Sequence, residues 1–218
     1  MLLSEIKRVI GSIAEVSGPD DLDIRHLLTD SRLLNDKVRP ATASHTLFFA
    51  IKTEKNDGAR YIPELREKGV QAFVTGDSLA ALQALAAYVR SQFEGTVIGI
   101  TGSNGKTVVK EWLYQLLKDD FTIIRSPRSY NSQIGVPLSV WQLEPLLTSP
   151  HGEEHPLLGR GTGRGSLAIF EAGISQPGEM EKLERIIRPT IGVITYIPRP
   201  RARCWWTAWT WRLAPGAS

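Results

Sequence analysis

One short run, Gly99-Ile-Thr-Gly-Ser-Asn-Gly-Lys-Thr107, limits the folds open to this chain more than any other feature. The apolar stretch Thr96 to Ile100 leads into it and reads as a buried strand. Beyond it, Val109, Trp112, Leu113, Leu116 and Leu117 recur at i, i+3, i+4, i+7 and i+8, one face of a helix. Passing from strand to helix in so few residues needs positive φ, which Gly102 and Gly105 supply, and lets backbone N–H groups approach a ligand without an intervening Cβ. The helix N-terminus adds unpaired N–H donors and a partial positive charge. This is a geometry for holding phosphates, with Lys106 placed for the terminal phosphates and the Thr107 hydroxyl for Mg2+. The spacing is G-x-x-G-K-T, because Ile100 rather than glycine stands five residues before Gly105. Packing alone also produces glycine-rich turns, but Lys-Thr with these flanking elements favours phosphate.

The shorter loop, with Thr101 before it and Asn104 within it, resembles the ATP loop T-G-x-N-G-K-T of the Mur ligase family. Three further segments in family order carry the same resemblance. Asn131-Ser-Gln-Ile-Gly-Val-Pro137 is similar to the family's N-x-x-x-G-x-P segment. Leu167-Ala-Ile-Phe-Glu171-Ala-Gly-Ile-Ser-Gln-Pro-Gly-Glu179 is similar to the strand-end glutamate segment of MurF-type enzymes. Upstream, Thr29-Asp-Ser-Arg32, Thr46-Leu-Phe-Phe-Ala-Ile51 and Asp57-Gly58 resemble the UDP-binding N-terminal domain of the MurE and MurF types. Glu171-Ala-Gly-Ile-Ser differs from the E-V-S-S-H of MurE-type enzymes, and Gly105-Lys-Thr-Val differs from the G-K-G-S of folylpolyglutamate synthases. The wording FEAGISQPGEM is similar to the ligase half of ligase/alanine-racemase fusions, although no racemase sequence is present.

The resemblance implies an ATP-dependent amide ligase of peptidoglycan precursor synthesis. A substrate carboxylate takes a phosphoryl group from ATP, an amine attacks the acyl phosphate, and phosphate leaves. For the MurF type the substrates are a UDP-MurNAc-tripeptide and D-Ala-D-Ala, the cofactors ATP and Mg2+, the location cytoplasmic and the chain monomeric. Such chemistry rests on positioning and charge neutralisation. The resemblance gives Lys106 and Glu171 catalytic roles. It gives Thr101, Gly102, Ser103, Asn104, Gly105, Lys106, Thr107 and Asn131 to the nucleotide, Thr107 and Glu171 to metal, and Ser31 and Arg32 to the uridine-nucleotide substrate. Structural alternatives stand beside these roles. Glu171 at a strand end also suits an exposed carboxylate or a helix-cap partner, Asn131 a turn former, and Asp30-Ser31-Arg32 a turn or helix cap. Trp112 and Trp141 lie on apolar faces and read as core.

Strands alternating with helices imply an α/β protein whose sheet is mostly parallel. Residues 1–94 read as a small substrate-binding domain. Its expected elements are helices near Leu3–Ile10, Ile62–Lys68 and Ser78–Ser91 and strands near Thr46–Ile51 and Val70–Thr75. Residues 95–197 read as the first part of an incomplete P-loop-type ATPase domain, with further strands near Phe121–Ile124, Leu167–Phe170 and Ile191–Ile197 and a helix near Glu179–Ile187. Ligands in such sheets sit at the carboxyl ends of strands, where both the loop and Glu171 fall. Residues 144–166 lack periodicity and read as a long inserted loop. His151 and His155 within it are spaced H-x-x-x-H beside Glu153 and Glu154. Pro150, Gly152 and Pro156 oppose the helix that a zinc motif needs, so a solvated loop is expected there.

The last segment, 198–218, changes character abruptly: four arginines, four tryptophans and no acid. Without it the chain has 22 basic and 23 acidic residues, so the net charge of +3 belongs to the tail and no basic nucleic-acid face is implied. Tyr196 stands where the family has asparagine, and Pro198-Arg199 replace the segment leading to its metal-site histidine. The expectation is a truncated or frame-shifted ligase unable to complete the cycle alone. Two alternatives differ in class: a module that binds nucleotide or UDP-sugar without turnover, and a protein that uses its Trp/Arg tail on membrane or RNA. The charged N-terminus and the lack of an apolar run of about 18 residues imply neither a signal peptide nor a membrane span. A single cysteine, Cys204, excludes an internal disulfide and suits a reducing compartment.

Overall fold

The computed structural model describes residues 1–34, 40–54, 56–127, 130–148, 165–174 and 178–196. Counting only these, contacts group 1–94 with 137–148, and 95–136 with 165–196. The expected elements at 151–164 and 197–218, including the His151/His155 pair and the tail, lie outside the described residues.

In the first unit, α1 (Leu3–Ile10) buries Leu3, Ile6 and Ile10, spaced three and four apart so that they share one face. Glu5 in its first turn and Lys7 and Arg8 in its last complement the helix dipole. There follow β1 (Ala14–Ser17), β2 (His26–Leu28), α2 (Pro40–Ala43), β3 (Thr46–Phe49), α3 (Ile62–Glu67), β4 (Ala72–Gly76) and α4 (Ser78–Gln92). The sheet order is β1-β4-β3-β2, with β2, β3 and β4 parallel and β1 antiparallel to β4. All four residues of β3 are buried, as a central parallel strand with no polar face requires. Phe48 meets Phe73 edge-on, centroids 6.5 Å apart at 73°, within a cluster that includes Leu28, Leu65 and Val70. Asp77 caps α4 by accepting from the Ala80 N–H at 3.1 Å. Trp141 is buried as expected, and its indole N–H donates to the Arg25 carbonyl at 3.1 Å.

The second unit begins with β5 (Thr96–Thr101), α5 (Lys106–Leu117) and β6 (Thr122–Arg125). The chain then forms α6 (Gly135–Val140) and α7 (Glu144–Thr148), and returns through β7 (Ser166–Ala172), α8 (Glu179–Ile187) and β8 (Ile191–Ile194). The sheet order β6-β7-β5-β8 is parallel throughout. Residues 144–148 are helical where the sequence reads as loop; Pro145 at the second position of α7 costs no internal hydrogen bond there.

The face that α5 buries corrects one expectation. Val109, Leu113 and Leu117 pack on Ile98, Ile100, Leu167 and Ile169, but Trp112 is 66% exposed and Leu116 74%. At roughly 100° per residue, Lys110 lies on one flank of the Val109–Leu113–Leu117 row and Trp112 on the other. Lys110 is the buried flank, with no accessible surface. Rotating the helix to bury this lysine turns the apolar flank out. Among the described residues no helix is long and apolar enough to cross a membrane.

Asp57-Gly58 has a structural job. Asp57 accepts from the Ala59 N–H at 3.0 Å, and a Cβ on Gly58 would lie 2.8 Å from backbone atoms of Ala50 and Ile51. Backbone cannot move aside as a side chain can. Gly58→Ala is expected to destabilise the first unit by about 1–3 kcal/mol. Amide hydrogen exchange at Phe48–Ala50 reads this directly, and unchanged protection would refute it.

Candidate functional site

The carboxyl end of the second sheet gathers the groups that the sequence singles out. At the end of β5 the chain turns through Gly102 (φ +135°) and Gly105 (φ +83°), which caps α5, so both glycines occupy the positive-φ region as their roles require. Lys106, the first residue of α5, folds back and donates from Nζ to the Gly102 carbonyl at 2.7 Å. The loop is strapped by the segment after β8. The Ser103 N–H donates to the Tyr196 carbonyl at 2.7 Å and the Thr195 N–H to the Thr101 carbonyl at 2.9 Å. The Thr195 hydroxyl reaches the carbonyls of Thr101 and Asn104.

Glu171 comes to this loop by strand register. It pairs with Ile100, one residue before the end of β5, and its alternate neighbours Leu167 and Ile169 face α5. Period two therefore puts Glu171 on the α5 side of the sheet, below the first turn of that helix. Its carboxylate is fully buried. Oε2 accepts from the Thr107 hydroxyl at 3.0 Å, and Oε1 lies 2.9 Å from Lys110 Nζ. Lys110 also donates to the Ser126 carbonyl at 2.8 Å, while the Ser126 hydroxyl accepts from the Glu171 N–H at 3.2 Å. Beyond it, Glu111 lies 3.5 Å from Lys110 and pairs with Arg125, whose guanidinium stacks 3.8 Å from the Tyr114 ring centroid.

Asn131 is held at the end of β7. Its carbonyl accepts from the Gly173 N–H at 2.7 Å, and a Cβ on Gly173 would stand 2.9 Å from the Asn131 side-chain amide carbon. Glycine at 173 is thus what admits the asparagine. In the first unit, Ser31 is buried at the start of a short 3₁₀ turn capped by Asp30, which accepts from the Arg32 N–H at 3.0 Å. The same carboxylate pairs with the Arg32 guanidinium through Nη2 at 2.6 Å, and hydrogen bonding to it holds Asp30 below the usual carboxylate range. The capping alternative for Asp30 is therefore realised, and Arg32 projects into solvent from it.

Among the described residues, two side-chain oxygens around the loop, Thr101 Oγ1 and Ser103 Oγ, are buried without a hydrogen-bond partner, and Glu171 Oε1 beside them has the Lys110 ion pair in place of one. Buried polar atoms are seldom left so, and their clustering at a helix N-terminus marks a place for a polar ligand. Hydroxyl and carboxylate oxygens are donors of the kind that Mg2+ takes, so the Thr107–Glu171 pair fits that ion. The sequence reading missed Lys110, Ser126 and Thr195. Only Lys110 left a trace, a charged residue one turn after Lys106 on a helix that is otherwise apolar at its inner positions.

A strand, a short glycine loop, a helix and a strand-end glutamate in an all-parallel sheet define a P-loop nucleotide-binding domain, and residues 100–199 match the Mur ligase middle domain. The chain belongs to the Mur ligase family, and its similarity runs to the MurF type. It is 30% identical to the UDP-N-acetylmuramoyl-tripeptide–D-alanyl-D-alanine ligase of Bacillus subtilis, over 88% of this chain and 41% of that protein. The corresponding ligase of Borreliella burgdorferi is 28% identical over 88% of this chain and 43% of its own length. The crystal structure of MurF ligase from Thermotoga maritima in complex with ADP superposes with a TM-score of 0.62 at 26% identity, covering 87% of this chain and 43% of that one. This chain thus spans about two fifths of the length of these relatives.

The Gly173–Asn131 contact is testable by a double-mutant cycle. Gly173→Ala is expected to cost about 1–3 kcal/mol in urea unfolding, and Asn131→Gly to recover part of that loss in the double variant. Purely additive losses would show that the two residues do not press on each other.

Proposed function

We propose that this chain binds ATP with Mg2+ at the loop 101–107 and carries the phosphoryl-transfer part of an amide ligase that joins D-alanyl-D-alanine to a UDP-MurNAc-tripeptide. The observation that carries the reading is the cluster of buried oxygens around a positive-φ glycine loop at the head of α5, Thr101 Oγ1 and Ser103 Oγ without a hydrogen-bond partner and Glu171 Oε1 held by its ion pair with Lys110. Relatives with these names, one of them solved with ADP, support the choice of ligand.

In this reading Gly102 to Gly105 open their N–H groups to the phosphates, and Ser103 exchanges the Tyr196 carbonyl for a phosphate oxygen. Lys106 leaves the Gly102 carbonyl for the terminal phosphate, exchanging a neutral acceptor for a charged one. Thr107 and Glu171 would hold Mg2+, which when bound neutralises charge on the transferring phosphoryl group. Asn131, fixed against Gly173, lines the nucleotide side. Ser31 and Arg32 take the uridine-nucleotide end of the substrate, with Asp30 orienting the guanidinium. The tripeptide carboxylate attacks the γ-phosphorus and ADP departs. The amine of D-alanyl-D-alanine then attacks the acyl carbon and phosphate leaves. This chemistry belongs to the cytoplasm, where ATP is available.

Calorimetric titration of the 218-residue chain with ADP and Mg2+ tests the reading. Lys106→Ala is expected to weaken binding about 10- to 100-fold, the loss of a charged hydrogen bond. Equal affinity in the variant would overturn the site. Nucleotide binding without phosphate release on adding the UDP-muramoyl-tripeptide would assign the chain to binding rather than turnover.

A further inference from the structure

The buried lysine of α5 has no part in the roles set out above. Lys110 and Glu171 are both without accessible surface and stand 2.9 Å apart, in a site whose other carboxylate oxygen takes the Thr107 hydroxyl. We propose that Lys110 is a positioning residue that serves as the resident cation of the metal pocket, holding Glu171 aimed and opposing free divalent cations until a nucleotide brings one in. The inference rests on the metal–nucleotide reading proposed above.

A carboxylate without accessible surface needs a counter-charge close by, and Lys110 supplies one at 2.9 Å. Lys110 is itself fixed from behind. Its ammonium donates to the Ser126 carbonyl, and the Ser126 hydroxyl accepts from the Glu171 N–H, so acid and base are tied to one residue. Glu111 lies beyond at 3.5 Å, which offsets part of the charge without entering the pocket. The contact with Glu171 is close in distance, yet Oε1 makes no aligned hydrogen bond. That oxygen is charge-compensated and still has lone pairs to offer.

The same ammonium opposes a bare divalent cation. A metal ion seated on Glu171 meets Lys110 as a like charge in a site with little water to screen it. A metal that arrives with di- or triphosphate brings its own negative charge, and the opposition falls. The pocket is therefore preset for the metal–nucleotide complex over the free ion.

Mn2+ binding, read by loss of the free-ion electron paramagnetic resonance signal, tests this on the full chain. Wild type is expected to bind Mn2+ at least tenfold more weakly without ADP than with it. Lys110→Gln is expected to bind nucleotide-free Mn2+ at least tenfold more tightly than wild type, and to gain thermal stability from Mn2+ alone. Lys110→Arg should behave as wild type. A lysine with a structural role only would lower the melting temperature of Lys110→Gln without raising its Mn2+ affinity, and that result overturns the proposal. If Lys110→Gln does not fold, wild type decides by itself, because equal Mn2+ affinity with and without ADP also overturns it. Failure of ADP to bind would remove the nucleotide reading, while the comparison of Lys110→Gln with wild type in the absence of nucleotide would still judge the lysine.

Discussion

The contact between Lys110 and Glu171 organises the second unit, because neither charge is tolerable there without the other. Taking an ion from water into a protein interior costs several kcal/mol, and only close pairing with further hydrogen bonds repays it. Here the further bonds come from Thr107 and from Ser126. Three elements are thereby tied at one point: the first turns of α5, the segment after β6 and the end of β7. The rotation of α5 about its axis follows from the same need. Seating Lys110 under the helix sets Val109, Leu113 and Leu117 on the sheet and leaves Trp112 and Leu116 in solvent.

Register does the rest. Along β7, Leu167, Ile169 and Glu171 share a face, so the residues that fasten α5 to the sheet also carry the carboxylate to the helix. A slip of one residue would turn Glu171 to the opposite face and bring Phe170 to the loop. The apolar run before Glu171 is thus as much a part of the site as the glutamate, since burial of that run fixes the register.

The glycine loop, the mostly parallel arrangement of strands and most helices were legible because each rests on a local pattern. The Leu3–Ile10 and Glu179–Ile187 helices fall where their spacing puts them. The strands β1 and β2 escaped because four and three residues give period two nothing to repeat over. The helix at 144–148 was hidden by a proline that its first turn accommodates. Trp112 shows the limit of periodicity. An apolar stripe wider than the buried arc does not say which of its edges is covered, and a lysine three-dimensionally matched to a distant glutamate decided it. The role of Lys110 was not legible, since its partner lies 61 positions away in sequence and only the parallel pairing of β5 with β7 joins them. Gly173 was legible as part of a motif, but its reason, the close approach of Asn131, depends on two segments that only the folded chain brings together.

The short loop also explains why the end of β8 matters. A G-x-x-G-K-T turn has fewer residues of its own to brace it than the longer phosphate loops, so bracing comes from the adjacent strand. Thr195 supplies it through its backbone N–H and its hydroxyl, and a Cβ on Gly102 would lie 2.2 Å from that hydroxyl oxygen. Tyr196 adds a carbonyl that occupies the Ser103 N–H. A loop kept in shape by a neighbour can release individual N–H groups to a ligand without collapsing, because the Thr195 contacts hold its two ends while Ser103 changes partner. Loop geometry and strand pairing are in this way one constraint: β5 must lie between β7 and β8 for the turn to have Glu171 on one side and its brace on the other.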